Sequence, residues 1–259
     1  MTDGDAPPTG LGAVADGRES WQPAVVSSVT RLTSRVVSIV LRPERWRSFL
    51  AGQHIDVRLT APDGYHAQRS YSVASPPARE GLLELVVERL DDGEVSPYFH
   101  DGVLAGDAIE IRGPFAEHFV WRPDARGAVL LAAGGSGVAP FLAMVRQRAV
   151  APNPGGMLLL YSARHWEDII LRDELLTQER EQNGLHVVFC LTRGEAHRAT
   201  DFAHRVDENV VAACLSRLGA LPEATFVCGS NAFVGRVADL LLGAGIPRET
   251  IRTERYGGT

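Results

Sequence analysis

Short apolar runs rich in β-branched residues follow one another through the first half of the chain. Each run is about as long as one strand, and together they cover residues 24–32, 36–42, 54–59, 82–90 and 108–114. Turn residues separate the runs at short intervals, for example Pro62-Asp63-Gly64 and Gly106-Asp107. This spacing predicts a small antiparallel β-barrel that is interrupted by one short helix near Val95 to His100.

The rhythm changes after residue 126, where longer segments separate strongly apolar strands. These strands cover residues 127–133, 157–163, 185–192 and 224–229. Helices are predicted over Val138 to Val150, Trp166 to Gln182 and Asn231 to Leu242, with a fourth after Asp207, which is suited to cap a helix. Strands that alternate with helices predict an α/β domain with a Rossmann-like parallel sheet.

The two patterns divide the chain into two domains, which its 259 residues can accommodate. We predict a flexible tail over residues 1–20, a β-barrel domain over residues 21–124 and an α/β domain over residues 125–259. The tail is acidic and rich in Pro and Gly, and it lacks the basic start and apolar core of a secretory signal. We therefore expect a cytoplasmic protein, and we expect a monomer.

Composition and charge exclude several classes of protein. A formal charge of −6 argues against a general nucleic-acid-binding protein, which carries a net basic balance or a basic face. The uncharged stretch over residues 127–145 is long enough for a membrane span, but several glycines and Pro140 interrupt it, so no span is expected. Three widely spaced cysteines exclude a four-thiolate iron–sulfur centre, and eight histidines without metal-binding spacing predict no metal site.

Four short strings follow one another in the barrel half: Arg69-Ser70-Tyr71-Ser72, Val86-Val87-Glu88-Arg89, Gly93-Glu94-Val95-Ser96 and Gly113-Pro114-Phe115. The planar fork of an arginine can hold a diphosphate, and a tyrosine offers a flat face and a hydroxyl to a cofactor such as a flavin. The third string begins the predicted short helix, whose free N–H groups can also face a phosphate.

Three further strings lie in the α/β half, over residues 133–140, 226–230 and 253–257. The first reads Ala-Gly-Gly-Ser-Gly-Val-Ala-Pro and joins a predicted strand to a predicted helix, where glycines let the backbone approach a pyrophosphate. It departs from the GxGxxG pattern of dinucleotide-binding loops.

With these strings in this order, the chain resembles the ferredoxin–NADP reductase superfamily over nearly everything from Trp21 onward. The resemblance implies an FAD-binding barrel, an NAD(P)-binding α/β domain and no iron–sulfur domain. It also implies an enzyme that passes electrons from a nicotinamide nucleotide through flavin to a separate acceptor protein, such as a ferredoxin or a haem protein.

The resemblance implies site residues in both halves of the chain. Ser72, Cys228 and Glu254 would position the reacting rings as the catalytic residues. The FAD site would comprise Arg69, Ser70, Tyr71, Ser72, Val87, Arg89, Gly93, Glu94, Val95, Ser96 and Tyr256. The NADP site would comprise Gly135, Ser136, Gly137, Pro140, Ser162, Arg164, Arg193, Cys228, Gly229 and Ser230.

The choice of nucleotide depends on the residues that meet the adenosine 2′-position. Ser162, Arg164 and Arg193 follow the second and third predicted strands of the α/β half, where the family places that group. Two arginines suit a phosphate dianion, so NADPH is preferred over NADH. The alternative is that Arg193 is a loop residue that does not contact the nucleotide.

Two departures from the family and several alternatives stay open. Ala116-Glu117-His118 stand where the family often has a Gly-rich segment, and Gly257-Gly258-Thr259 follow an aromatic that is terminal in plant-type members. Arg69 alone is compatible with a surface ion pair, Cys228 with a buried core thiol and Glu254 with a solvated charge. At the level of function, the alternatives are a free-flavin reductase and a non-catalytic electron-transfer or regulatory subunit on the same scaffold.

Overall fold

The computed structural model describes residues 20–116, 118–151 and 155–256. Residues 1–19 of the predicted flexible tail and the final Gly257-Gly258-Thr259 lie outside the described residues. The described chain forms an antiparallel sheet followed by a parallel sheet with helices, which confirms the predicted two-domain fold class.

Six antiparallel strands form the first, barrel-like sheet. They are β1 (Gln22–Arg31), β2 (Val36–Pro43), β3 (His54–Thr60), β4 (His66–Ser72), β5 (Leu83–Glu88) and β6 (Ala108–Phe115). Their order across the sheet is β4-β3-β6-β1-β2-β5, so β4 and β5 are its edges. The inner faces bury Val, Ile and Leu side chains in one core, to which the short helix α1 (Ser96–Asp101) contributes Phe99.

The two edge strands follow each other along the chain as a hairpin, and they meet at its closed end. Val73 bridges to Leu85, and the Ala74 N–H donates to the Glu84 carbonyl over 2.7 Å. Away from this end, β4 pairs with β3 and β5 pairs with β2, so the two strands diverge and a gap opens between them. We refer to β4, β5 and their connection as the edge hairpin.

Five parallel strands form the second sheet, in the order β11-β10-β7-β8-β9. They are β7 (Val129–Gly134), β8 (Met157–Ala163), β9 (Leu185–Leu191), β10 (Ala224–Ser230) and β11 (Ile251–Tyr256). Helices α2 (Ala139–Val150) and α3 (Arg172–Glu181) pack on one face of this sheet. Helices α4 (Glu208–Leu218) and α5 (Asn231–Gly243) pack on the other.

The helices follow the sequence prediction, with one correction. Asp207 caps α4 as expected, because its side chain accepts a hydrogen bond from the Val210 N–H over 3.0 Å. The continuous helix predicted from Trp166 to Gln182 is wrong in its first half, where a 3-10 turn is followed by Leu171 in the left-handed region at φ 51°. The cause is tertiary, since the Ile170 N–H donates to the buried Tyr161 hydroxyl instead of continuing a helix. None of the described helices is long and apolar enough to cross a membrane.

The barrel and the parallel sheet share one apolar core. Val86 and Trp121 from the barrel side pack with Phe141 and Met144 of α2 in a single buried cluster. This buried cluster opposes independent motion of the two domains, because separating them would expose its apolar side chains to water. Helix α2 is therefore one of the elements that hold the two sheets in their relative position.

Candidate functional site

One large cleft lies where the gap in the edge hairpin faces the carboxyl ends of β7, β8 and β10. Its volume of about 760 Å³ is typical of small-molecule and cofactor sites. Open α/β sheets bind ligands at this end of the strands, where the strand order reverses. The predicted site residues that line the cleft are Arg69, Ser70, Tyr71, Ser72, Gly93, Glu94, Val95, Ser96, Gly135, Ser136, Ser162, Arg164, Ser230 and Tyr256.

The barrel wall of the cleft carries an exposed arginine and a half-buried tyrosine. Arg69 pairs with Glu94 over 3.2 Å, and Glu94 also accepts a hydrogen bond from the Tyr65 hydroxyl over 2.6 Å. About half of each partner of the ion pair is exposed, so the pair is weak and the guanidinium can exchange the carboxylate for a phosphate. Tyr71 packs edge-on against Phe99, and burial raises the pKa of Tyr71, which keeps its hydroxyl neutral.

The glycine-rich turn after β7 forms the opposite wall. Gly135 has φ of 57°, a conformation that favours glycine, and its backbone is exposed in the cleft. A Cβ atom on Gly137 would lie 2.3 Å from the Cys228 carbonyl oxygen, so this glycine lets the turn after β7 pack directly on β10. The two strand-to-helix turns predicted to meet the nucleotide therefore form one continuous surface.

Residues from the two sheets meet at one end of the cleft. Ser72 is 4% exposed at the end of β4, and its Oγ lies 2.7 Å from the Tyr256 hydroxyl and 3.4 Å from Glu254 Oε2. Glu254 pairs in register with Cys228 on the neighbouring strand, and the Cys228 thiol is in hydrogen-bond contact with Tyr256. All three predicted catalytic residues thus lie together with Tyr256 in one cluster.

Burial controls the protonation of this cluster. Desolvation raises the pKa of Glu254 to about 7, and the hydrogen bond from Ser72 opposes only part of that shift. Desolvation also raises the pKa values of Tyr256 and Cys228. At neutral pH the cluster therefore holds a neutral thiol and a neutral phenol beside one carboxyl group that titrates in the physiological range.

Comparison with known proteins supports the division of the chain seen in the structure. The family model of the oxidoreductase FAD-binding domain matches residues 24–120, and that of the oxidoreductase NAD-binding domain matches residues 131–239. Ferredoxin–NADP reductase B of Sorangium cellulosum is 32% identical over 213 residues, which cover 80% of this chain and 85% of that protein. This chain belongs to the ferredoxin–NADP reductase superfamily. Its two matched domains are those of an FAD- and NAD-binding oxidoreductase.

Two further comparisons are with parts of larger proteins. Methane monooxygenase component C of Methylosinus trichosporium is 31% identical over 190 residues, which cover 71% of this chain but 54% of that protein. The flavohem-like FAD/NAD-binding domain of nitric oxide dioxygenase from Vibrio cholerae aligns with a TM-score of 0.78 at 23% identity, covering 92% of this chain and 99% of that domain. The last comparison shows the shared fold alone.

The residues of the cleft fit the FAD that the superfamily implies. Arg69 offers a guanidinium at the mouth, and Tyr71 offers a ring beside the gap. Gly93 keeps the backbone close at the start of α1, where a Cβ atom would lie 3.1 Å from the Leu90 carbonyl oxygen and from Ser96 Oγ. The set therefore provides a cation for a diphosphate and an aromatic surface for a flavin.

The adenosine end of the expected nucleotide site carries charges of both signs. Arg164 lines the cleft at the end of β8, and the Arg193 N–H donates to the Arg164 carbonyl over 2.9 Å, so the two residues leave neighbouring strands side by side. Within the described part of the chain, neither guanidinium has an ion-pair partner. Asp168 also lines the cleft, although it does not directly follow a strand.

Several predicted site residues do not line the cleft. Val87 is buried in the barrel core, and Arg89 pairs with Asp101 over 2.7 Å. Pro140 is buried at the start of α2, and Arg193 is exposed beside the cleft. Four others lie behind the lining or at its edge: Gly137, Cys228, Gly229 and Glu254.

Sequence reasoning missed other residues of the cleft. Glu88 Oε2 accepts a hydrogen bond from the Ser136 hydroxyl over 2.7 Å, and this bond joins β5 to the glycine-rich turn. The sequence feature that could have identified Glu88 is the strand period of two, which places Val86 and Glu88 on one face of β5 and Val87 on the other. Phe233 lies against Gly134 and Gly229, and only its position three residues after Ser230 marks it in the sequence. In the part of the chain that the structure describes, no group of three His, Cys, Asp or Glu side chains could hold a metal ion.

Proposed function

We propose that this chain binds FAD in the cleft, oxidises NADPH and passes the electrons to a separate redox protein. The single observation that carries the proposal is the cluster in which Ser72 from the barrel meets Glu254 and Tyr256 from the parallel sheet. A site built across two nucleotide-binding domains suits a reaction between two bound dinucleotides. FAD supplies the chemistry that links the two carriers, because it accepts a two-electron hydride and can release electrons singly.

The barrel residues hold and orient the cofactor in this proposal. Arg69 releases Glu94 and takes the diphosphate in a charge-assisted hydrogen bond. Tyr71 presents its ring and neutral hydroxyl beside the gap of the edge hairpin, and Ser72 directs its hydroxyl at the cofactor ring. These residues position groups and form no covalent bond with them.

The residues of the parallel sheet hold the nicotinamide nucleotide. The backbone at Gly135 and the hydroxyl of Ser136 face the phosphates, and the turn made by Cys228 and Gly229 lies next to them. Tyr256 lines the cleft beside Ser72, and in this proposal its ring covers the flavin face and moves aside before hydride transfer. Glu254 keeps a protonated carboxyl at the site below about pH 7, where it adds no negative charge beside the arriving hydride.

The guanidinium groups of Arg164 and Arg193 support the proposed preference for NADPH over NADH. Two cations at the ends of adjacent strands suit the 2′-phosphate, which only NADPH carries. Asp168 is the opposing consideration, because a carboxylate at the same rim suits the ribose hydroxyls of NADH. The two arginines outnumber this single carboxylate, and among the described residues neither has an ion-pair partner.

A separate protein is the proposed electron acceptor. This chain has three cysteines, all of them buried, which is too few for a four-thiolate cluster. Two relatives carry names that fit such a partner, one a ferredoxin–NADP reductase and one a component of methane monooxygenase. We propose a ferredoxin-like or haem protein.

Anaerobic addition of NADPH and, separately, of NADH to the purified protein tests the proposal. We expect yellow protein that keeps its colour through desalting and bleaches rapidly near 450 nm, with NADPH effective at lower concentration than NADH. Colour that is lost on desalting would favour a free-flavin reductase. A stable yellow protein that neither nucleotide bleaches would favour a non-catalytic subunit.

A further inference from the structure

Arg146 on helix α2 joins the barrel to the parallel-sheet domain through one guanidinium group. Its Nη1 donates to Glu84 Oε2 and to the Ala74 carbonyl, each over 2.8 Å. Its Nε and Nη2 donate to the two carboxylate oxygens of Glu174, over 2.5 and 2.8 Å. The side chain is 14% exposed, so these bonds are shielded from water and from salt.

The barrel partners of Arg146 form the closed end of the edge hairpin. Ala74 and Glu84 are hydrogen-bonded to each other there, and Ala74 follows Ser72 by two residues. Glu84 precedes Val86 by two residues and Glu88 by four, so the strand period places all three on the same face of β5. Whatever holds this closed end therefore sets the direction of both strands that border the cleft.

Glu84 is itself firmly held, which makes it a suitable anchor. Its Oε1 accepts a hydrogen bond from the Ser38 hydroxyl over 2.7 Å, and its backbone N–H donates to Ser75 Oγ over 3.1 Å. The next residue of α2 adds a second contact, because Gln147 Oε1 accepts from the Ala78 N–H in the hairpin connection over 3.2 Å. Helix α2 thus contacts the hairpin at two successive residues.

The other partner of Arg146 belongs to the nucleotide side. Glu174 lies in the first turn of α3, directly after the segment that contributes Asp168 and Ile170 to the cleft. Helix α2 itself begins directly after the glycine-rich turn over Gly135–Val138. One guanidinium therefore joins the flavin-side hairpin to both segments that flank the expected nucleotide.

We propose that Arg146 is a positioning residue that fixes the edge hairpin relative to the nucleotide-binding turns, and thereby aligns the nicotinamide with the flavin. This inference rests on the proposed function. Hydride transfer needs the reacting atoms about 3 to 3.5 Å apart, so a small rotation of one domain against the other slows the reaction. A planar guanidinium can serve three acceptors in fixed directions, whereas a lysine ammonium is a single point on a flexible stem.

The test compares Arg146→Lys with Arg198→Lys as a matched control. Arg198 is a half-buried arginine that also bonds two carboxylates, Glu179 and Asp201, but both belong to the parallel-sheet domain. For each protein, single-turnover reduction of bound flavin at saturating NADPH gives the limiting rate, and hydrogen–deuterium exchange of the cofactor-free protein reports on the edge hairpin.

In Arg146→Lys we expect at least a tenfold lower limiting rate, a larger deuterium isotope effect with 4-deuterated NADPH, and unchanged affinity for FAD. In the cofactor-free protein, amides over residues 72–75 and 83–86 should exchange at least tenfold faster. Arg198→Lys should leave the limiting rate and these amides at wild-type values, even if its melting temperature falls equally.

Equal limiting rates and equal hairpin exchange in the two variants would overturn the inference and leave Arg146 with a packing role. Loss of FAD from Arg146→Lys would also overturn it, because the cofactor site rather than the alignment would then be disturbed. If Arg146→Lys does not fold, Glu174→Gln replaces it in the test. We then expect a limiting rate of flavin reduction about threefold lower and hairpin exchange about threefold faster than in the wild type. Failure of the wild-type protein to be reduced by either nucleotide would instead refute the proposed function, and the exchange measurement separates the two cases.

Discussion

The Ser72 Oγ and the Tyr256 hydroxyl lie 2.7 Å apart, and this bond joins the last residue of β4 to the last residue of β11. It crosses from the barrel to the parallel sheet at the end of the cleft where the proposed function places the flavin and nicotinamide rings. In the proposed function, Tyr256 closes the site through this contact, and we expect the contact to break when the nicotinamide enters.

Replacing Tyr256 should expose this competition. We expect Tyr256→Ser to bind the oxidised nicotinamide nucleotide more tightly and to change flavin fluorescence and turnover, because the ring that competes for the flavin face is gone. Tyr256→Phe is the matched control, since it keeps the ring and loses the hydroxyl's contacts with Ser72 and Cys228, each worth about 0.5–1.5 kcal/mol. Titration of both variants with nucleotide checks the prediction, and wild-type affinity and fluorescence in Tyr256→Ser would leave Tyr256 as a packing residue.

The carboxyl group of Glu254 should make flavin reduction depend on pH near neutrality. Its pKa is raised to about 7 by desolvation, so the group is neutral below that pH and ionised above it. An ionised carboxylate opposes the arrival of a hydride, so we expect the limiting reduction rate to fall as pH rises through about 7. The rate of Glu254→Gln should be independent of pH over the same range, and an unchanged profile would assign the titration to another group.

The raised pKa of Glu254 should also make the stability of the cofactor-free protein depend on pH. The folded protein keeps this proton up to about pH 7, whereas the unfolded chain releases it near its usual pKa of 4.5. The free energy of unfolding should therefore decrease as pH rises between these two values. Urea unfolding of the cofactor-free protein at pH 5 and pH 7.5 should show a smaller decrease in Glu254→Gln than in the wild type.

Substitutions of the two partners of the Arg69–Glu94 ion pair should change FAD affinity in opposite directions. Arg69→Ala removes a charge-assisted partner of the diphosphate, a loss on the order of 1.5–3 kcal/mol, and should weaken FAD binding. Glu94→Gln frees the guanidinium from its carboxylate and should strengthen FAD binding. Fluorescence titration of cofactor-free protein measures both, and equal affinities in all three proteins would return Arg69 to the role of a surface ion-pair residue.

Nucleotide choice should respond to the arginines at the ends of β8 and β9. The double variant Arg164→Ala and Arg193→Ala is expected to raise KM for NADPH much more than for NADH, because only NADPH carries the 2′-phosphate. Asp168→Ala is the complementary variant and should raise KM mainly for NADH. Steady-state kinetics with both nucleotides test this, and equal effects of the double variant on both would indicate contacts to the shared pyrophosphate.

The close backbone contact between Gly137 in the turn after β7 and Cys228 at the end of β10 should not tolerate a side chain on Gly137. Gly137→Ala would bring a Cβ atom to 2.3 Å from the Cys228 carbonyl oxygen, so we expect a loss of about 1–3 kcal/mol in stability together with weaker nucleotide binding. Gly235→Ala in α5 is the control, because its Cβ would meet nothing within 4 Å and a helix gains up to about 1 kcal/mol from alanine. Equal melting temperatures for the two variants would contradict the predicted contact.

Most of the order of elements and the broad position of the site could be predicted from the sequence, although the apolar runs did not include strands β4 and β11. Strand-length apolar runs predicted the barrel, and helix-length segments between later runs predicted the parallel sheet. The strings around Arg69 and Gly135 lie opposite each other in the cleft because each sits at the end of a strand. These features depend on local patterns, which a single sequence carries.

Features that depend on contacts between distant residues could not be predicted in this way. The break at Leu171 arises from the bond between Ile170 and Tyr161, which no helical period records. The bond between Glu88 and Ser136 joins residues 48 positions apart and links two domains. The role of Arg146 could not be recognised from the sequence, because an arginine on a helix face is ordinarily a solvated charge.

The divergence of the edge hairpin has a consequence for solubility as well as for chemistry. Strands β4 and β5 are both sheet edges, and over the length of the gap neither completes a ladder with the other. Such edges offer free backbone groups to a strand from another molecule, and this is a common route to aggregation. A ligand seated in the gap would lie between the two edges and would favour the folded form by mass action. We therefore expect protein stripped of FAD to self-associate more readily than protein loaded with FAD, which light scattering of the two forms at equal concentration would measure.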